Sequence, residues 1–76
     1  LDTRGFVYLK LNQTDSAMKD YDAALKLDPK LAGSLYGRGV AKTRKGDRNG
    51  GTADINAAKA IRGDIAEEFG RYGIKP

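Results

Sequence analysis

The sequence predicts an all-α protein built from helical hairpins that repeat along the chain. Three observations support this fold class. Apolar residues recur at steps of three and four, as they do along one face of an α-helix. Shifting the 76-residue sequence by 34 positions places residues of the same class on one another. Asn, Asp, Pro and Gly interrupt the apolar stripes at short intervals, where helices end. We therefore expect five helices and no β-sheet.

Residues that stop or start a helix bound the first two helices. Asn12 tolerates the left-handed conformation that follows a helix end, and Thr14 or Asp15 can cap the next helix. Asp28 precedes Pro29 and ends the second helix, because the residue before a proline avoids the α region. The first two helices are therefore expected at 1–11 and 15–27.

Glycines separate the remaining helices. Gly46 lies in the turn between the third and fourth helices, and Gly63 lies in the turn before the fifth. Gly50 and Gly51 open the fourth helix weakly, because each Gly costs ~1 kcal/mol relative to Ala inside a helix. These boundaries predict three further helices, at 31–45, 49–61 and 65–72.

The 34-residue shift aligns small and charged residues as well as apolar ones. Small residues at a helix crossing let two backbones approach closely, so we expect Gly5 against Ala17 and Gly39 against Gly51. Tyr21 should then fill the space between one hairpin and the next. The matched pairs include Leu1 and Leu35, Arg4 and Arg38, Gly5 and Gly39, and Asp20 and Asp54.

This pattern resembles the tetratricopeptide repeat (TPR), a helical hairpin of ~34 residues. The resemblance implies one TPR-like domain over 1–76, with repeats at about 1–31 and 32–65 and a capping helix at about 65–76. It also implies a right-handed superhelical stack of antiparallel hairpins, a solenoid. Since the chain begins without Met, we expect it to be a piece of a longer protein. The signature residues are Leu1, Arg4, Gly5, Tyr8, Ala17, Tyr21, Ala24 and Pro29, and then Leu35, Arg38, Gly39, Gly51, Ile55 and Ala58.

The composition argues against most catalytic and metal chemistry. The chain has no Cys and no His, so it lacks a thiol nucleophile, a thiolate metal site and the usual general base. We expect a non-catalytic scaffold without a cofactor, a metal or a small-molecule substrate. No stretch approaches the ~20 apolar residues of a membrane span, so no membrane partner is expected. The composition is compatible with cytoplasm and periplasm alike.

The function that the resemblance implies is protein–protein interaction on the concave face, which the first helix of each hairpin lines. Four apolar residues with basic ends would suit an extended or helical peptide of some acidic character. For Phe6 and Leu9, packing against the last helix or an upstream repeat is the open alternative. The candidate contact residues are Phe6, Leu9, Lys10, Tyr36, Val40, Thr43 and Arg44.

The charge balance leaves a second class of function open. The formal net charge is +4, and the basic excess is concentrated at Lys42, Arg44, Lys45 and Arg48. Such a cluster could steer phosphates or an acidic surface. Acidic residues are interspersed elsewhere, unlike a dedicated nucleic-acid face, so nucleic acid is the alternative and protein the expected partner.

The N-terminal end of the stack is expected to be open. Repeat arrays generally need about three units for stability, whereas this chain has two. Leu1, Tyr8, Met18 and Leu25 would then be exposed at that end. We therefore expect the open end to allow association with a second copy of the chain.

Overall fold

The computed structural model describes residues 2–76, and all regular structure in these residues is helical. The predicted helix bounds agree with the observed ones to within one residue, apart from the start at Leu1, which lies outside the described residues. None of the described helices is long and apolar enough to cross a bilayer. The helices are Asp2–Lys10 (α1), Thr14–Leu27 (α2), Ala32–Arg44 (α3), Arg48–Ile61 (α4) and Ile65–Arg71 (α5).

Three helices, α1, α3 and α5, end in the same way. A residue with positive φ follows each of them: Asn12 at 60°, Gly46 at 96° and Gly73 at 78°. In each case the N–H groups of that residue and of the next donate to carbonyls of the last helical turn. This is the Schellman motif, which satisfies carbonyls that have no partner within the helix. The left-handed role predicted for Asn12 is confirmed.

The second helix of each hairpin begins differently in the two repeats. The cap predicted for α2 at Thr14 or Asp15 is wrong, because Gln13 occupies the cap position and its side chain makes no capping hydrogen bond. Asp15 instead forms an ion pair with Lys45. At the start of α4, the Asp47 carboxylate accepts a hydrogen bond from the Gly50 N–H at 2.9 Å. This cap offsets the weak helix propensity of the glycines that follow.

Close backbone contact holds α3 against α4. A Cβ added at Gly39 would lie 2.8 Å from the Gly51 carbonyl oxygen, so the predicted Gly39–Gly51 contact is confirmed. At Gly5 the nearest neighbours are atoms of the Tyr21 ring, at 3.1 Å from such a Cβ. A side chain at Gly5 would therefore meet Tyr21 first, and the contact of Gly5 with Ala17 stays a prediction.

Tyr21 joins the first hairpin to the second. Its side chain is buried, and its ring lies between Gly5 of α1 and Gly37 of α3. A Cβ at Gly37 would lie only 2.2 Å from Tyr21 Cζ. The absence of a side chain at Gly37 is what lets the ring enter, so α2 and α3 pack face to face around one aromatic side chain.

An ion pair recurs at the same place in both hairpins. Arg4 Nε lies 2.7 Å from Asp20, and Arg38 Nε lies 2.8 Å from Asp54, so both residues of the pair shift by 34 positions. Arg38 also donates to Asp22 at 2.9 Å, which links α3 to α2. The hydrogen bonds from Arg4 lower the pKa of the Asp20 carboxyl. The repeated pair therefore joins the first helix of each hairpin to the second.

The pKa of Asp54 is set by two opposing effects. Burial disfavours its charged form, but hydrogen bonds donated by Arg38 and Lys42 outweigh that cost and lower the pKa. Lys42 Nζ lies 3.0 Å from the carboxylate. Asp54 is therefore ionised at neutral pH and holds two cations of α3.

Candidate functional site

The predicted contact residues lie on two neighbouring helices, α1 and α3, which the fold brings side by side. Three of them are buried: Leu9 is 1% exposed, Tyr36 4% and Val40 0%. Burial also raises the pKa of the Tyr36 hydroxyl. Phe6 and Thr43 are half-buried, whereas Lys10 and Arg44 are exposed. We call these seven residues the α1–α3 face: Phe6, Leu9, Lys10, Tyr36, Val40, Thr43 and Arg44.

The chain's own C-terminal segment, residues 65–76, covers the apolar part of this face. The ring of Phe69 lies 5.6 Å from that of Phe6 and 4.7 Å from that of Tyr36, measured between centroids. The ring of Tyr72 meets Phe6 edge-on at 5.3 Å. The apolar strip is therefore covered by the chain itself, which matches the alternative weighed for Phe6 and Leu9, packing against the last helix. Binding of a partner on this face stays a prediction.

A glycine turn brings the chain back over the face. The Ile74 N–H donates to the Phe69 carbonyl at 3.1 Å, and Ile74 itself is buried against the core. The 34-residue shift places Gly73 on Gly39, yet Gly39 lies within α3, whereas α5 stops before Gly73. α5 ends at Arg71, before this position. As a result Ile74 lies beside Leu9 and not further along the stack.

Arg44 ties this arrangement together. Its Nη1 donates to the Leu9 carbonyl at 3.0 Å, and its Nη2 donates to the Lys75 carbonyl at 3.2 Å. An arginine predicted to meet a partner's carboxylate is therefore occupied by two backbone carbonyls, one from α1 and one from the C-terminal segment. Lys10 is the exposed cation that remains at this end of the face.

An open apolar groove of about 610 Å³ lies beside the segment, at the other end of α1. Sequence reasoning missed this groove, because it joins helix residues to Lys30, Leu31 and Arg62 of the turns, to which the repeat pattern assigns no role. Its apolar lining includes Phe6, Leu31, Ile61, Phe69 and Tyr72, with Lys30 and the Arg62–Glu68 ion pair at the rim.

The basic cluster is largely neutralised within the fold. Lys42 pairs with Asp54 and Lys45 with Asp15, while Arg44 donates to backbone carbonyls. Among the described residues, Arg48 is the member of the cluster without an ion pair or hydrogen bond from its side chain. The same residues, 2–76, contain no group of acidic side chains that could hold a metal ion.

The side chains exposed at the N-terminal end of the stack are not the ones that the sequence predicted. Leu25 is buried, and Tyr8 and Met18 are half-buried against the core, while Leu1 lies outside the described residues. Val7 on α1 and Leu11, the residue just after α1, are instead 48% and 61% exposed. Association with a second copy through this end stays a prediction, with these two residues at its centre.

Comparison with protein families identifies the repeat. The sequence profile described as TPR repeat matches residues 5–46, more than half of the chain. The chain belongs to the TPR repeat family. The match to the TPR profile begins within α1, runs through α2 and α3, and ends just after α3. Comparisons with curated proteins and with solved structures give no significant match.

Membership of the TPR family gives the general class of function. TPR repeats are generally protein–protein interaction modules and are typically non-catalytic scaffolds. The resemblance drawn from the sequence is thereby confirmed, together with the helical solenoid fold that it implied. The TPR match ends before the C-terminal segment, so the family pattern by itself says nothing about what covers the α1–α3 face.

Proposed function

We propose that this TPR chain binds a segment of a partner protein on its α1–α3 face. One observation carries the proposal: the face holds a short helix, α5, through aromatic contacts with Phe6 and Tyr36. A surface that packs a helix from its own chain offers the same apolar side chains to a helix from another protein. Laying an amphipathic helix into an apolar groove is a common mode of peptide recognition.

The charges around the face define the partner further. Lys10 is exposed at the end of α1, and Arg44 is exposed at the end of α3. Both lie beyond the apolar strip, so a bound segment with acidic residues near one end would complement them. The partner is therefore a protein segment that is apolar on one side and acidic at the end that meets Lys10 and Arg44.

Binding of nucleic acid is the alternative function, and the geometry supports it less. Phosphate contacts need cations that are free to displace counterions. Lys42 and Lys45 already pair with carboxylates of the same chain. A phosphate would have to compete with Asp54 and Asp15, and a carboxylate-bearing partner on the α1–α3 face meets no such competition at Lys10.

A binding screen at two salt concentrations tests this proposal. The whole chain is presented with a displayed peptide library and with a random-sequence RNA, at about 50 and 200 mM salt. We expect selected peptides to bind at both concentrations and the RNA to bind weakly and lose affinity steeply. RNA binding that exceeds peptide binding, with a steep salt dependence, would favour the alternative.

A matched pair of charge reversals then locates the site. Lys10→Glu should weaken binding of a selected peptide, whereas Lys26→Glu should leave it unchanged. Both lysines lie in the last turn of a helix and both are exposed, so the cost to the helix is the same. Equal effects of the two substitutions would place the site away from the α1–α3 face.

A further inference from the structure

We infer that the C-terminal segment, residues 65–76, is a displaceable occupant of the α1–α3 face, and that a partner helix binds there by taking its place. The partner would carry the chemistry that the segment shows, which is two aromatic side chains three residues apart followed by an aliphatic one. This inference rests on the proposed function. It adds that the segment closes the α1–α3 face in the free protein and that a partner helix opens the face by displacing the segment.

The segment is short, and three buried side chains anchor it. Its helix has only seven residues, too short to be stable without tertiary packing. Ile65, Phe69 and Ile74 are buried, but Tyr72 remains 54% exposed while its ring edge meets Phe6. Single elements of a structure can open at a free energy below that of global unfolding. Opening of the segment would expose these three side chains, and a partner that covers the same surface would offset that cost.

The connection to α4 permits that movement. Arg62, Gly63 and Asp64 are exposed, and no atom lies within 4 Å of where a Cβ on Gly63 would be. The ion pairs that Arg62 makes with Asp64 and Glu68 are solvent-exposed. Exposed pairs of this kind contribute little to stability. The linker can therefore swing without breaking a buried contact.

The rest of the stack is held by contacts that do not involve the segment. Tyr21 lies between Gly5 and Gly37, and the Arg38 pairs with Asp22 and Asp54 join the two hairpins. All of these residues precede residue 65. Lifting the segment would therefore uncover Tyr36 and Val40 while the hairpins stay packed.

Arg44 shows how a partner could outcompete the segment. Its Nη2 donates to a neutral backbone carbonyl, that of Lys75. A carboxylate in the same place would add the attraction of opposite charges to a hydrogen bond whose donor is already charged. A partner helix with an acidic residue just beyond its aliphatic side chain would gain there what the segment lacks.

A single tryptophan makes displacement measurable. The chain contains no Trp, so Tyr72→Trp in the whole chain reports only on the segment. The probe is a synthetic peptide of residues 64–76 with Lys75 replaced by Glu, labelled with fluorescein for anisotropy. We expect saturable binding of the peptide together with a shift of the tryptophan emission to longer wavelength. Binding without any change in emission would overturn the inference and leave the proposed function standing.

Two variants that loosen the segment supply the second readout. Tyr72→Ala removes the edge contact with Phe6, and Gly73→Ala strains the turn that returns Ile74 to the face. The affinity of the peptide should rise about 2- to 10-fold in each variant. Losing an aromatic pair, or placing an alanine in a left-handed turn, changes the equilibrium between the closed and the open state by about that factor. Leu27→Ala, at an exposed position of α2, should bind as the wild type does.

The outcomes separate the two proposals. Unchanged affinity in both loosened variants, with native circular dichroism, would show that the segment does not compete and would overturn the inference. If neither this peptide nor any library peptide binds the wild type or the loosened variants, the proposed function fails as well. Tighter binding in both variants, matched by the emission shift, would establish the segment as the occupant that a partner displaces.

Discussion

Gly37→Ala tests whether Tyr21 is wedged as tightly as the structure indicates. The added Cβ would lie 2.2 Å from Cζ, 2.4 Å from Cε2 and 2.6 Å from the hydroxyl oxygen of Tyr21. The ring is buried between α1 and α3, so it can retreat only into the small space that the missing side chain of Gly5 leaves. The methyl group must therefore push α3 away from α2 or force Tyr21 out of its rotamer.

Two effects of opposite sign determine the size of the change. Ala is favoured over Gly inside a helix by ~0.5–1 kcal/mol. Overpacking a filled core costs ~1–3 kcal/mol, and here the upper part of that range applies, because the contact is with a buried ring. The net loss of unfolding free energy should be ~1–2 kcal/mol. For a domain of this size the melting temperature should fall by roughly 4–16 °C.

Gly33→Ala provides the control in the same helix. No atom lies within 4 Å of its Cβ position, so only the helix-propensity term acts. Chemical denaturation followed by circular dichroism should show Gly37→Ala less stable than the wild type and Gly33→Ala equal to it or slightly more stable. If Gly37→Ala were as stable as Gly33→Ala, the Tyr21 wedge would not be the contact that joins the hairpins.

The remaining predictions concern charge, the C-terminal turn and the open end. The pKa of Asp54 is lower in the folded state than in the unfolded state. The ionised carboxylate therefore stabilises the fold at pH values above the unfolded pKa of ~3.9, and this stabilisation is lost as the pH falls through the folded pKa. In Asp54→Asn, the unfolding free energy should therefore fall less steeply below about pH 4. Gly73→Ala should lower the unfolding free energy by ~1 kcal/mol, because φ at this position is 78°. Gly70→Ala, in α5 with no atom near its Cβ position, should raise the unfolding free energy by up to ~1 kcal/mol. If the chain self-associates, Val7→Lys with Leu11→Lys should abolish association in sedimentation equilibrium across a hundredfold range of concentration.

Each of these predictions has a contradicting result. An unchanged acid limb in Asp54→Asn would mean that the carboxylate contributes no pH-dependent stability. Equal stability of the two glycine variants would show that the left-handed turn is not strained by a side chain. Association that persists in the double lysine variant would place the contact between copies elsewhere than the exposed face of α1.

The helices and their pairing could be predicted from the sequence. The helix bounds followed from local signals: a proline after Asp28, and residues that tolerate positive φ at Asn12 and Gly46. The contact of Gly39 with Gly51 followed from one offset that aligned small residues. These features depend on residues that recur every three, four or 34 positions, and such distances along the chain can be read from the sequence directly.

What covers the α1–α3 face was decided by the tertiary structure alone. Periodicity shows that Leu9, Tyr36 and Val40 share an apolar face, but an apolar face looks the same in sequence whether a partner or the same chain buries it. The deciding residue is Gly73, which by the repeat offset should lie within a helix as Gly39 does. Its left-handed turn instead ends α5 early and returns the chain over the face. The sequence therefore determined the stack and the apolar α1–α3 face. The return of a short helix onto that face determined that it is covered, because only three-dimensional packing chooses between two uses of the same apolar side chains.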